Sequence, residues 1–467
     1  MKLETLRKKH KRFVYESFAY RLTKRGLEIA FAFLLEPNIT FHPKITIRGM
    51  TRKELEKIPR PMLENFIFHL GLAEIPSYWK CAVSPEILIE AGPLDNYQKQ
   101  WWKQLLFDGL GEFFYKNKID AAKPGFVTIR AGANAHSPLP KKPIQGNSFL
   151  VPVGGGKDSL VALELLKRAK KKFQPLVLGN VPAAFALIKA ARSPSSLDTT
   201  RNKPLLVRRE VDPNLLALNR RGYLNGHTPF SAYLAFMSVF CAELFGHRYV
   251  AVANERSANE ENITFHGKPI NHQYSKSFIF EKTFREYAAR YLTKNVSYVS
   301  VMRPLYELQI ARIAASQKYL PAIKSCNVNQ KKGTWCGKCS KCLAVFLLLY
   351  PFANERMLID MFGRNLYADM TLSRYIPALV GKSPQKPFEC VATREETRAA
   401  LQLAIEKAQN AERHLPVLLE RYRRTLLPRY RMKQKTIQKI LRAWDVKNFL
   451  PKELQPVLRA MLSQQNS

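Results

Sequence analysis

The chain has 467 residues, 46% hydrophobic and 24% charged, which is ordinary for a globular protein with room for two or three cores. Lys and Arg (75) outnumber Asp and Glu (37), and the net charge of +38 suits a polyanionic partner: nucleic acid, an anionic membrane or a phosphorylated small molecule. Four of the seven cysteines fall between Cys326 and Cys342, which suits a metal site in a reducing compartment better than a disulfide framework.

The basic start, Met1 to Arg12, has the charge of an export signal. The apolar run after it, Leu27 to Leu35, is broken by Glu28 and lacks a small-residue cleavage site. Residues 1–145 read as an α+β domain, with strand character at Asn38 to Arg48 and helical patterns at Met62 to Leu70 and Tyr97 to Tyr115. A Pro-rich stretch, Ser137 to Gly146, reads as a linker.

From residue 146 to about 395 strands and helices alternate. Strands are expected at Phe149 to Val153, Pro175 to Leu178, Pro204 to Val211, Arg248 to Ala253 and Tyr298 to Val301. Helices are expected at Asp158 to Lys171, Pro182 to Ala191 and Pro229 to Phe245. That order implies βαβ units, an α/β doubly wound parallel sheet, and a ligand site beyond the carboxyl ends of the strands. The apolar run Phe230 to Phe245 is too short to span a bilayer and carries Glu243, so it reads as a buried helix. Residues 396–467 read as a helical, basic extension in which Arg421 to Lys439 forms a solvated face. The whole is expected to be soluble and cytoplasmic, with the oligomeric state open.

Chemistry concentrates first at Gly154-Gly155-Gly156-Lys157-Asp158-Ser159, between an expected strand and an expected helix. Glycines let the backbone curl close to a ligand, and the loop amides join the helix N-terminus in facing an anion. The loop is not a Walker A motif, because Val151 and Asp158 stand where that motif needs Gly and Ser or Thr. It resembles the Ser-Gly-Gly-x-Asp-Ser loop of the ATP pyrophosphatase (PP-loop) superfamily, matching at Gly155, Gly156, Asp158 and Ser159 and departing at Gly154. The resemblance implies ATP cleaved to AMP and pyrophosphate. Asp158 and Ser159 would then serve pyrophosphate and its Mg²⁺, with Lys157 countering charge.

Cys326, Cys336, Cys339 and Cys342 have the makings of a closed tetrahedral thiolate site, with Zn²⁺ the leading ion and an iron–sulfur cluster second. A similar spacing occurs in the 7-cyano-7-deazaguanine synthases, PP-loop enzymes with a structural zinc. Cys81, Cys241 and Cys390 read as small buried residues.

The segment Asn254 to Phe280 begins at the ligand end of an expected strand and is dense in proton-transferring groups: Glu255, Arg256, Asn259, Glu260, His272, Tyr274 and Lys276. Its phrases NERSANE and NHQYSKS resemble the UDP-N-acetylmuramoyl-L-alanyl-L-glutamate epimerases of peptidoglycan synthesis. So do RPLYELQIA, SCN followed by WCGKCSKC, KPFEC, EIPSYWK, IEAGPLDNYQKQWW and GLGEFFY. The likeness runs from about residue 15 to 400. It implies ATP-dependent inversion of the terminal L-Glu of a UDP-linked muramoyl dipeptide through an acyl-adenylate, which removes the carboxylate charge that disfavours an enolate. His272, Glu255 and Lys276 are then the expected proton-transfer residues, with Cys390 and Glu389 as outside choices.

Two other readings compete. One is a PP-loop ligase of the nitrile- or amide-forming type, which needs a nitrogen donor and leaves the stereocentre untouched. The other is an RNA-binding or tRNA-modifying protein, favoured by the charge but lacking a recognisable RNA-binding module; no specific nucleic-acid partner is expected.

Overall fold

A computed structural model gives the fold and describes residues 1–132, 144, 146–191, 203–412 and 414–464. The expected linker Ser137–Gly146 lies almost wholly outside the described residues.

After a short helix, Leu3–Lys9, come two long strands that the sequence pattern does not assign, β1 (Arg12–Thr23) and β2 (Gly26–Leu35). They pair antiparallel from Phe13↔Leu35 to Thr23↔Gly26. Along β2, Leu27, Ile29, Phe31, Phe33 and Leu35 are buried while the residues between them are half-exposed, the period of two that a one-sided sheet imposes. Charged Glu28 therefore sits on the open face, where it meets Arg21 across the hairpin at 3.0 Å. The expected strand Asn38–Arg48 divides at Pro43 into β3 (Ile39–Phe41) and β4 (Lys44–Arg48). β5 (Glu86–Ile89) and β6 (Thr128–Ala131) follow.

The expected alternation then appears: β7 (Phe149–Pro152), β8 (Phe173–Leu178), β9 (Leu205–Glu210) and β10 (Tyr249–Glu255). A small hairpin, β11 (Ile263–Phe265) with β12 (Lys268–Ile270), precedes β13 (Ser297–Met302). Among the described residues, eleven strands make one sheet in the order β13-β10-β7-β8-β9-β4-β2-β1-β5-β6, with β3 on β2. β13, β10, β7, β8 and β9 are mutually parallel. The antiparallel pairing of β4 with β9, Lys44↔Glu210 to Ile47↔Val207, carries the sheet across the boundary expected near residue 145.

The two faces of this sheet carry two cores. On β7, Leu150 joins one core and Phe149 and Val151 the other; on β10, Val250 and Val252 face one way and Ala251 the other. Burial on both faces explains why these strands read as unbroken apolar runs. Helix Phe230–Phe245 and the N-terminal elements fill the first core, and helices Lys157–Arg168 and Glu307–Ala315 fill the second. The region after residue 396 belongs to this second core: Leu418, Leu419, Tyr422, Ile437, Leu454 and Leu458 are buried in it, while Arg421 and Arg424 stay exposed. Among the described residues, no helix is long and apolar enough to cross a membrane.

Candidate functional site

β7 ends at Pro152 and the next helix starts at Lys157, so the three glycines lie at the carboxyl edge of the central strand, at an α/β sheet's usual ligand position. Gly155 has φ +88°, and a Cβ there would stand 2.5 Å from the backbone carbon of Ala183. The loop closes on itself where the Gly154 amide donates to Ser159 Oγ at 3.2 Å, and the Lys324 amide donates to the Gly155 carbonyl at 2.8 Å. The first-turn amides of helix Lys157–Arg168 have no acceptor within the helix, a geometry suited to receiving an anion.

Lys157 points away from that opening. Its Nζ is buried between Asp158 Oδ1 at 2.5 Å and Glu307 Oε1 at 2.8 Å. Burial alone would push the ammonium down, but Asp158, Glu307 and Glu255 together hold it well above the usual lysine value. The charge of Lys157 is thus committed to a buried carboxylate cluster. Burial, reinforced by Asp158 and Glu307, pushes Glu255 up to about 7. Glu255 ends β10 next to the loop-bearing β7, which is how two segments about a hundred residues apart come to share charge.

A cavity of about 340 Å³ opens over the loop, lined by Gly154, Gly156, Asp158, Ser159, Asn254, Lys276, Lys341 and Cys390, among others. A larger groove of about 1010 Å³ crosses β1, β2, β4 and β9, but it is an open sheet face away from the glycine loop and the cysteines. The smaller cavity is therefore the candidate site.

Lys276 Nζ lies 3.2 Å from Cys390 Sγ. Burial opposes the charge on Lys276, yet Cys390 and Glu255 raise its pKa. Burial would likewise raise the thiol of Cys390, but Lys276, His272 and Lys341 pull it down to about 5. His272 lies one step back, with Nδ1 2.5 Å from Glu112 Oε2 and a favourable charge interaction with Cys390. Those two contacts overcome burial and lift it to about 9. Glu112 is brought down to about 2 against its burial by His272 and Lys116. His227 Nδ1 approaches the same Glu112 oxygen at 3.4 Å, and burial beside His272 depresses it to about 3. Cys390 is held in place by its neighbours: Lys386 pairs with Glu260 at 2.6 Å, and Asn262 Nδ2 donates to the Pro387 carbonyl at 2.7 Å.

The four clustered cysteines also meet at this cavity. Their sulfurs lie within 4.8 Å of one another, with Cys326 to Cys339 at 4.0 Å and Cys336 to Cys342 at 3.6 Å. A tetrahedron of Zn–S bonds of about 2.3 Å needs sulfurs about 3.8 Å apart, so the donor set fits. Backbone amides of Asn329, Lys338 and Cys342 donate to three of the sulfurs at 3.4 Å, as knuckles around thiolates do. Cys326 itself lines the cavity, and Lys341, between Cys339 and Cys342, hydrogen-bonds the Cys390 carbonyl.

Of the seven residues singled out between Asn254 and Phe280, Glu255, His272 and Lys276 converge here. The others are tied up elsewhere. Arg256 stacks on Tyr306 and reaches Asp445, Asn259 accepts from the Phe278 amide, Glu260 pairs with Lys386, and Tyr274 faces Asp108. Sequence reasoning missed Glu112, His227, Glu307 and Lys341. Glu112 and Glu307 stand inside the phrases GLGEFFY and RPLYELQIA, and proximity alone shows what they touch.

Two family models match the chain: the MurL N-terminal domain over residues 4–301 and the MurL C-terminal domain over residues 322–434. The second match corrects the expectation that the likeness stops near residue 400. A protein of Xanthomonas oryzae pv. oryzae is 34% identical over 75% of this chain and 76% of its own length. A Micromonospora protein is 35% identical over 71% and 73%, and one from Salinispora tropica 35% over 73% and 73%. All three are named UDP-N-acetyl-alpha-D-muramoyl-L-alanyl-L-glutamate epimerase. No solved structure matches. With matches of this extent at both levels, the chain belongs to the MurL family.

Proposed function

We propose that this protein inverts the terminal L-glutamate of UDP-N-acetylmuramoyl-L-alanyl-L-glutamate to D-glutamate, coupled to cleavage of ATP to AMP and pyrophosphate. The observation that carries the reading is the single cavity in which the glycine loop meets Lys276 and Cys390, beside buried Glu255. The relatives' names supply the substrate.

An α-proton beside a carboxylate is a poor acid, because its removal sets an enolate next to an existing anion. Joining that carboxylate to AMP removes the anion. We read the strand, glycine loop and helix as a PP-loop unit, in which the loop amides and the helix N-terminus receive the phosphates. Asp158 would hold Mg²⁺ with the leaving pyrophosphate, and Ser159 would keep the loop closed. Glu255, poised near neutrality, suits a general base, and Lys276 can stabilise the enolate oxygen with its charge. Zinc at Cys326, Cys336, Cys339 and Cys342 would supply structure, fixing the loop over the phosphates. The excess of basic side chains favours a UDP-linked, dicarboxylate substrate. The need for ATP and for reduced thiols suits the cytoplasm.

Turnover in D₂O with ATP, Mg²⁺ and the UDP-muramoyl dipeptide is expected to put deuterium on the glutamate α-carbon, and omission of ATP to stop the exchange. ATP consumed while glutamate stays L and unlabelled would instead favour a nitrogen-donor ligase. Copurification of one defined RNA through high salt would favour the RNA-binding reading.

A further inference from the structure

We propose that Cys390 is a nucleophile: it takes the activated glutamyl group from AMP, so that the α-proton is removed from an enzyme-bound thioester. The inference rests on the adenylation reading above and adds a covalent step to it.

Three segments distant in sequence meet in the order nucleophile, base, orienting carboxylate. Cys390 faces the cavity that holds Gly154 and Asp158. His272 gives its Nδ1 to Glu112 Oε2 at 2.5 Å, and its positive charge acts on Cys390. That is the arrangement by which a histidine fixed by a carboxylate activates a thiol. Lys276 Nζ, 3.2 Å from Sγ on another side, adds a positive charge. The other cysteines differ in kind: Cys81 and Cys241 are buried in apolar core and pushed up, Cys81 to about 12. The remaining four form the sulfur cluster.

The thiol near 5 beside an imidazole near 9 gives a thiolate–imidazolium pair at neutral pH. Such a thiolate is a weak proton acceptor, which argues against Cys390 as the base for a carbon acid. Nucleophilicity falls much less steeply with pKa, with a Brønsted slope of about 0.4–0.5, so the same thiolate remains an effective attacking group. The step balances without an external oxidant or reductant. Sγ forms a bond to the glutamyl carbonyl carbon while the bond from that carbon to the AMP phosphate oxygen breaks, and AMP leaves with the electron pair. A base removes the α-proton of the thioester, a proton returns on the opposite face, and water cleaves the C–S bond to regenerate the thiolate.

The test is acid quenching of the full-length enzyme during turnover with ATP, Mg²⁺ and UDP-muramoyl dipeptide, followed by peptide mass analysis. An adduct of substrate minus water is expected on the Cys390 peptide of the wild type, or as the slower-hydrolysing oxygen ester on Cys390→Ser, and hydroxylamine is expected to remove it. Inversion of glutamate by the wild type with no adduct on either protein overturns the proposal and leaves adenylation standing. Absence of AMP and pyrophosphate overturns both. In resting enzyme, alkylation of Cys390 by iodoacetamide is expected to titrate near pH 5 and to move upward in Glu112→Gln. Titration of the wild type in the range of an ordinary thiol counts against the triad.

Discussion

The Arg303 guanidinium and the Glu281 carboxylate form a 3.1 Å ion pair in which both side chains are entirely buried. The same guanidinium donates to the carbonyl oxygens of Glu255 and Lys276, each at 2.5 Å, and Glu281 accepts from the Ser300 amide of β13 at 2.7 Å. One buried pair thus clips the backbone of two cavity segments to β13, at the end of the sheet. Arg303→Met leaves Glu281 uncompensated in the core and is expected to cost about 3–5 kcal/mol. Urea unfolding of the variant checks this; a loss below about 1 kcal/mol would show that the clip is dispensable.

The glycine loop offers a matched pair of substitutions. Gly155→Ala forces a left-handed residue, worth about 1–2 kcal/mol, and drives its Cβ into the Ala183 backbone. At Gly154 nothing lies within 4 Å of an added methyl group and φ is not positive, so Gly154→Ala is expected to stay within about 1 kcal/mol of wild type. Pyrophosphate release should accordingly be lost in Gly155→Ala. Comparable stability and activity for the two variants would place the phosphates elsewhere.

Metal analysis of freshly purified protein is expected to return one zinc per chain. Because a structural site couples binding to folding, Cys339→Ser or chelation should lower stability by on the order of several kcal/mol rather than tune turnover alone. Iron with acid-labile sulfide would assign the same four sulfurs to a cluster.

Proton linkage gives the Glu112–His272 pair a defined pH window. Glu112 is depressed from its usual 4.5 to about 2, so its contribution is present above pH 4.5 and fades as pH falls toward 2. His272 is raised from 6.5 to about 9, so its contribution is present below pH 6.5 and is lost as pH rises through 9. The stability difference between wild type and Glu112→Gln should peak between about pH 4.5 and 6.5, read from melting curves across pH. Glu255 behaves oppositely to Glu112. Raised from 4.5 to about 7, it favours the folded state below 4.5 and loses that contribution as pH climbs through 7. As a base, it should make α-proton exchange rise with pH through about 7, a limb that Glu255→Gln should remove.

Much of this architecture was legible in the residues. The parallel half announced itself because strands covered on both faces, such as Phe149–Pro152, must be apolar throughout, and because glycine alone tolerates the turn at Gly155. The paired Cys-x-x-Cys steps pointed to a cluster of four thiols for an equally local reason, since the spacing lies within one loop and one helix turn. The β1–β2 hairpin is not legible because Leu27 to Leu35 reads as an apolar run broken by Glu28, and only the pairing with Arg21 shows that Glu28 lies on the open face. What the sequence could not decide was which charges meet. Glu112, His272 and Cys390 come from a helix, a loop and a distant segment, and their pKa values arise from contacts across 160 and 118 positions. A side chain's type and neighbours in the chain determine its chemistry in water; burial and the charge placed beside it by tertiary packing determine whether it is a thiol or a thiolate.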